Sequence, residues 1–273
     1  MPGGLRLSET VRVDRVDVLK ELERGDRASA LPRLGGLARA DGVVIVSERF
    51  WAFAGVDGSL REGRMPRPPR TLRSIPLVRG LVRLFASLSP LFRRRGVARK
   101  RERWFLIVAI VLPFALPLAP SWIPLASGFV ITGALLMWLV RGRTLFLHGA
   151  EHRAIAAAEL RRLRDAWSGA VRPSRFSARC GTNFAALVMP VAVAGERLWP
   201  LPSATLTPLA VTVLALALTT ELWQLVQTSS HRVLRSLLLP GLALQRLTTR
   251  EPRLDETRVA LCAVASVLRR ELD

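Results

Sequence analysis

The spacing of apolar residues changes character several times along the chain. Residues 1–34 are polar with scattered valines and leucines, which predicts one short helix from about Asp14 to Arg24 with Asp14 as its cap. From Gly42 the pattern becomes strand-like: Val43-Val44-Ile45-Val46, then Phe50-Trp51-Ala52-Phe53-Ala54, then a turn at Val56-Asp57-Gly58-Ser59. Asp-Gly between apolar runs marks a hairpin, so residues 35–65 read as a small β-meander. The run Met65-Pro66-Arg67-Pro68-Pro69-Arg70 closes it as a linker. Residues 75–92 set Arg79 and Arg83 four apart on an otherwise apolar helix, the pattern of an interfacial amphipathic or docking helix.

Trp104 to Val140 then carries no charge over 37 residues and is broken near its middle by Pro117-Leu118-Ala119-Pro120. A bilayer core takes roughly 20 helical residues, so this length predicts a transmembrane hairpin. A second apolar region, from Phe184 to Gln227, breaks at Glu196, Arg197, Trp199, Pro200 and Pro202, residues suited to a headgroup boundary. The expected fold is therefore an α-helical integral membrane protein with four spans in two hairpins, near 104–119, 123–140, 184–199 and 204–223. Leu237–Leu244 is apolar but too short to cross. Past Pro252, Leu254, Leu261, Val264, Ala265, Leu268 and Leu272 form one stripe of a C-terminal amphipathic helix. Four regions result: 1–70 with the meander, 71–103 with the amphipathic helix and its basic flank, the membrane domain 104–228 with a 143–183 loop, and the segment 229–273.

Composition supports a membrane setting. Half of the 273 residues are hydrophobic, mean hydropathy is +0.27, and the formal charge is +20, a combination foreign to disordered tails and to ordinary soluble domains. Residues 93–103 hold seven basic side chains, the 143–183 loop eight, and the tail from Ser229 eight, whereas the turns between paired spans hold only Arg197. Basic flanks mark the cytoplasmic side, which places both termini and the loop in the cytosol against anionic lipid. No RNA-reading motif accompanies the charge, so nucleic acid or ribosome is the lesser reading of it. Two distant cysteines, Cys180 and Cys262, indicate a reducing compartment, not a disulfide framework.

The candidate chemistry starts at His148-Gly149-Ala150-Glu151-His152. H-x-x-E-H is the inverted zinc-protease pattern: two histidines one helical turn apart can chelate a divalent metal, zinc above all, and the carboxylate can act on bound water. The structural alternative is a pair of histidines hydrogen-bonded to backbone carbonyls. Glu159 shares their helical face but lies roughly 10 Å further along a straight helix, too far to share the ion. Cys180, just before the third expected span, is the best-placed third ligand.

These residues, with Glu159, Arg179-Cys180-Gly181-Thr182-Asn183-Phe184, Glu221 and the run from Pro240 through Gln245-Arg246-Leu247-Thr248-Thr249-Arg250-Glu251-Pro252, resemble in order the YqhQ-like family of bacterial multi-pass membrane proteins. That family is a domain of unknown function described as predicted metal-dependent enzymes. With Ile75-Pro76-Leu77-Val78-Arg79-Gly80, the resemblance covers about residues 35–270 and implies a bacterial cytoplasmic-membrane location. It also implies functional interest in Gln245, Thr248, Thr249, Arg250 and Glu251. Two departures stand out. Ser177 occupies the place of a family histidine, and Gly35-Gly36-Leu37-Ala38-Arg39 matches an N-terminal glycine motif only loosely. If that histidine is a ligand in the family, a water, Glu221 or Glu251 must replace it here.

Two functions follow. A membrane-boundary metal hydrolase would use His148, His152 and Cys180 as ligands and Glu151 as general base. A non-catalytic scaffold or regulator would use the same residues as a structural clip, with the meander and terminal helix binding a cytosolic protein partner. A transporter is disfavoured by the lack of ionisable residues within the spans.

Overall fold

The computed structural model of the chain describes residues 15–93, 96–115, 130, 134, 142–198 and 206–273. Four short strands, β1 (Gly35–Arg39), β2 (Gly42–Val46), β3 (Phe50–Gly55) and β4 (Leu60–Arg64), form an antiparallel meander in the order β1-β2-β3-β4. Its register pairs Val43 with Ala54 and Ile45 with Ala52 on one face, and Val44 with Phe53 and Val46 with Trp51 on the other. Side chains alternate along a strand, so the near-continuous apolar runs bury both faces of the sheet. Val43, Ile45, Ala52, Ala54 and Leu60 join the main core, while Val44, Trp51 and Phe53 pack with Met65 and Val97. The β3–β4 loop is closed by Asp57, whose Oδ1 accepts from the Ser59 N–H at 3.0 Å and its hydroxyl at 2.6 Å, with Gly58 at φ +82°.

The first face of the sheet is covered by helices distant in sequence. α1 (Arg15–Arg27) is followed after the sheet by α2 (Arg70–Ser74), α3 (Val78–Phe92) and α4 (Lys100–Ala115). Then come α5 (Thr144–Glu159), α6 (Leu163–Ser168), α7 (Gly181–Leu198), α8 (Leu206–Thr228), α9 (Arg232–Ser236), α10 (Leu239–Thr248) and α11 (Leu254–Leu272). The sheet, α1, α5, α6 and α11 share one core, in which Leu22, Leu147, Leu163, Leu261, Val264 and Leu268 have no exposed surface. Each such side chain contributes about 1.5–3 kcal/mol through removal from water. α7, α8, α3 and α10 pack on one another beside this body. Arg79 of α3 pairs with Glu221 of α8 at 2.5 Å, and Gly80 lies directly against Thr220.

The four-span helical architecture is overturned. A mixed α/β body occupies much of the chain, and among the described residues one helical stretch, Ala210–Thr228, is long and apolar enough to cross a membrane. The expected span at 123–140 lies outside the described residues except for Val130 and Ala134, and the first is described only to Ala115. The physical reason is that α7 carries Asn183, Pro190, Glu196 and Arg197 within its 18 residues, while apolar residues elsewhere serve an ordinary core. The expected 143–183 loop contains α5 and α6, and α5 is buried along most of its length through small residues such as Ala150, Ala154, Ala157 and Ala158. The terminal helix α11 carries the expected stripe, but Ala260, Ala263 and Val267 are buried as well, making it a central core helix.

Candidate metal centre

α5 runs between the sheet and the chain segment that follows α10, and its contacts there are backbone-close. The Arg250 N–H donates to the Leu145 carbonyl at 2.9 Å, and a Cβ at Gly149 would stand 2.2 Å from the Arg250 carbonyl oxygen. Gly149→Ala must therefore push α5 off residues 250–252. Overpacking of this kind destabilises by about 1–3 kcal/mol, expected as a fall of roughly 2–10 °C in thermal denaturation.

One turn apart on this helix, His148 and His152 place their ring centroids 4.5 Å from each other. His148 Nδ1–H donates to the Thr248 carbonyl at 2.8 Å, and His152 Nδ1–H donates to the Arg175 carbonyl at 2.6 Å. A carbonyl only accepts, so each ring carries its proton on Nδ1 and presents an Nε2 lone pair. His148 Nε2 lies 3.2 Å from Cys180 Sγ, and His152 Nε2 is buried with no hydrogen-bond partner. One ligand atom from each of His148, His152 and Cys180 falls within 4.8 Å of the others, and all three residues are buried. A tetrahedral zinc with bonds of about 2.0–2.3 Å spaces its ligands roughly 3.3–3.7 Å apart. The three residues could hold such an ion.

Cys180 is held by the same C-terminal run that orients His148. Gln245, fully buried on α10, accepts from the Ser177 N–H at 2.9 Å and donates to the Ser177 carbonyl at 2.8 Å. Asn183 donates to the Ser177 and Ala178 carbonyls at 2.9 and 3.0 Å. Residues 177–180 are thus clamped from both sides. Thr182 turns its hydroxyl and N–H toward Cys180 Sγ at 3.2 and 3.5 Å, donors that favour the thiolate. Burial nevertheless dominates, and with Glu151 nearby it pushes the thiol up to about 11.

Glu151 lines the same cleft, about 230 Å³ in volume, between α5, β1 and the 177–182 segment. Burial raises its carboxyl to about 8. Burial also lowers His148, and burial with His148 beside it takes His152 down to about 4, so both rings are neutral at pH 7. Gly36 of β1 is what admits the Glu151 side chain: a Cβ there would lie 2.7 Å from both Glu151 Cγ and Oε1.

The other sequence candidates divide into supports and bystanders. Thr248 contributes its carbonyl to His148. Thr249, fully buried, donates through Oγ1 to the Gln245 carbonyl at 2.6 Å and accepts from Arg175 at 3.2 Å. Arg250 enters through its backbone, and Glu251 pairs with Arg153 at 2.5 Å on an exposed side. Glu159 is paired with Arg179, and Glu221 is on α8 facing α3; neither they nor Glu251 are among the grouped ligands. Ser177 lines the cleft through the position where the resemblance has histidine. The sequence alone assigned no role to Arg175, and Thr182 and Gly36 entered only as members of motifs. Carbonyl acceptors leave no residue-type signal, but a hydroxyl residue two positions after a candidate cysteine ligand was a legible one.

Residues 131–270, slightly more than half of the chain, match the model of a family described as a protein of unknown function (DUF1385). No curated protein and no solved structure matches the chain.

Proposed function

The chain belongs to the DUF1385 family of proteins of unknown function, and from its buried centre we propose that it is a metal-dependent hydrolase. Its ligands are His148 Nε2, His152 Nε2 and Cys180 Sγ, its metal is zinc, and its proton carrier is Glu151. The observation that carries this reading is His152 Nε2, a buried ring nitrogen without a partner among the described residues. An unmet buried polar atom costs about 1–3 kcal/mol, and here it faces the two other soft and nitrogen donors. The motif order that resembles YqhQ-like proteins, described as predicted metal-dependent enzymes, supports the same reading.

Zinc bound by three protein ligands supplies Lewis acidity and lowers the pKa of water toward about 7. The chain supplies the rest. The Thr248 and Arg175 carbonyls fix both imidazole tautomers, and Thr182 would donate to the sulfur once an ion holds it as thiolate. Glu151, its carboxyl raised to about 8 at the cleft wall, can give a proton to a leaving group at neutral pH and, in its ionised fraction, take one from a nucleophile. A second reading, a structural clip, draws on the fact that the donors join α5 to the start of α7.

We further propose anionic lipid as a partner. The helices beside the α/β body expose Met189, Leu198, Leu225, Val233 and Leu247, with Arg232, Arg235 and Arg246 close in sequence.

Proton-linked zinc binding tests the ligand set. The rings are already neutral at pH 7 while the Cys180 thiol is protonated, so zinc must displace at least the thiol proton. Calorimetry in two buffers of different ionisation enthalpy should show that release, with affinity rising about tenfold per pH unit from pH 6.5 to 7.5. Zinc binding without proton release would contradict Cys180 as a ligand.

A further inference from the structure

β1 is an edge strand, and its free edge borders the metal centre. The β1–β2 turn has two residues, Ala40 and Asp41, so the flanking pair Arg39–Gly42 exchanges both hydrogen bonds. Counting back by two, Leu37 and Gly35 also bond to β2. The N–H and C=O groups of Gly36 and Ala38 therefore point away from the sheet. Among the described residues no backbone bond satisfies them; Gly36 is exposed, and Ala38, though buried, lines the cleft. The absence of a side chain at Gly36 leaves this backbone open to close approach beside Glu151.

The cleft also has the shape of a track. Its wall includes five consecutive residues, Leu34 to Ala38, instead of the alternate residues that one sheet face would present. A second cavity of about 300 Å³, along Leu31–Leu34, shares Leu34, Ile155 and Arg179 with the cleft wall. A wall of five consecutive extended residues is up to roughly 17 Å long, room for an extended segment of about that many residues.

We infer that the substrate of this centre is an extended polypeptide that adds to the sheet as a further strand on β1, a step that rests on the hydrolytic reading above. Main-chain hydrogen bonds to Gly36 and Ala38 supply affinity with little demand on sequence, and they set one peptide bond of the added strand beside Glu151. Cleavage consumes one water. The water oxygen bonds to the carbonyl carbon, the C–N bond breaks with its electron pair leaving on nitrogen, and Glu151 carries a proton from the water to that nitrogen, leaving a carboxylic acid and an amine.

The test uses full-length protein carrying Glu151→Gln, with zinc and with chelator, and a synthetic pool of unstructured 12-residue peptides. The tightest retained peptide is then remade with one N-methyl group at each position in turn. Expected is a loss of about tenfold or more at alternate positions and none between them, because only every second N–H of an added strand faces β1. Ala38→Pro, which removes an outward N–H but no bond to β2, should weaken the same peptide by a similar factor. Zinc binding with no peptide retained, or a retained peptide whose N-methyl profile lacks the two-residue period, overturns the docking strand and leaves the metal reading intact. A two-residue period in a protein that takes up no zinc keeps the docking strand and rejects the hydrolase.

Discussion

Replacing His152 by alanine should abolish zinc-dependent stabilisation while changing the metal-free protein comparatively little. In the metal-free state His152 Nδ1–H holds the Arg175 carbonyl, but its Nε2 is an unmet buried atom, so its removal has compensating effects. In the metal-bound state the full ligand is lost. Even groups that only orient a ligand change metal affinity by about 10–100-fold, so a direct ligand should change it by more than about a hundredfold. Zinc at about ten times its dissociation constant adds about 1.4 kcal/mol to the folded state, and a site a hundredfold weaker gains almost nothing at that concentration. Thermal scans with and without zinc should separate for the wild type and coincide for His152→Ala. The same outcome is expected for Cys180→Ala, and a persistent zinc-dependent shift in both variants would remove these residues from the site.

Glu151→Gln should remove the chemistry and leave the zinc site in place. The carboxyl is protonated at neutral pH because burial raises it to about 8, so the amide replaces a neutral group of similar shape. Zinc content should match the wild type at pH 7, while hydrolysis of peptide substrate falls by about 10²–10⁴-fold, the usual contribution of a general acid–base group. Above about pH 4.5 the variant should become the more stable protein, by a margin that grows up to about pH 8. A raised carboxyl pKa means that the native state holds a proton the unfolded chain has released above about 4.5, so wild-type stability is full below that value and declines as pH rises toward 8. Unchanged turnover in Glu151→Gln would leave the structural clip as the reading of the centre.

The parts of this protein legible in its sequence are those where one residue type has one common use. The Val-rich run and Asp57-Gly58 mark strands and a turn at 35–65, and the structure has a four-stranded sheet there. His148 and His152 announce a shared helical face, and Cys180 does stand beside them. The four-span fold failed because mean hydropathy does not say what covers an apolar surface. Ala150, Ala154, Ala157 and Ala158 of α5, and Ala260 and Ala263 of α11, let helices approach the sheet closely, so segments expected as a cytosolic loop and tail form the core of an α/β body. The Gln245–Pro252 run was recognisable as a motif, but its work is done through the Thr248 carbonyl, the Arg250 N–H and the two-way clamp of Gln245 on Ser177. Backbone groups are common to every residue, which hides such roles from a reading by side-chain type.

The central claim is one ion shared by His148, His152 and Cys180. Zinc K-edge X-ray absorption on purified, zinc-loaded protein tests it most directly. The account predicts one equivalent of zinc with one sulfur at about 2.3 Å and two imidazole nitrogens at about 2.0–2.1 Å, and the sulfur contribution lost in Cys180→Ser. A protein that retains no zinc, or a zinc shell of oxygen and nitrogen alone, would contradict it.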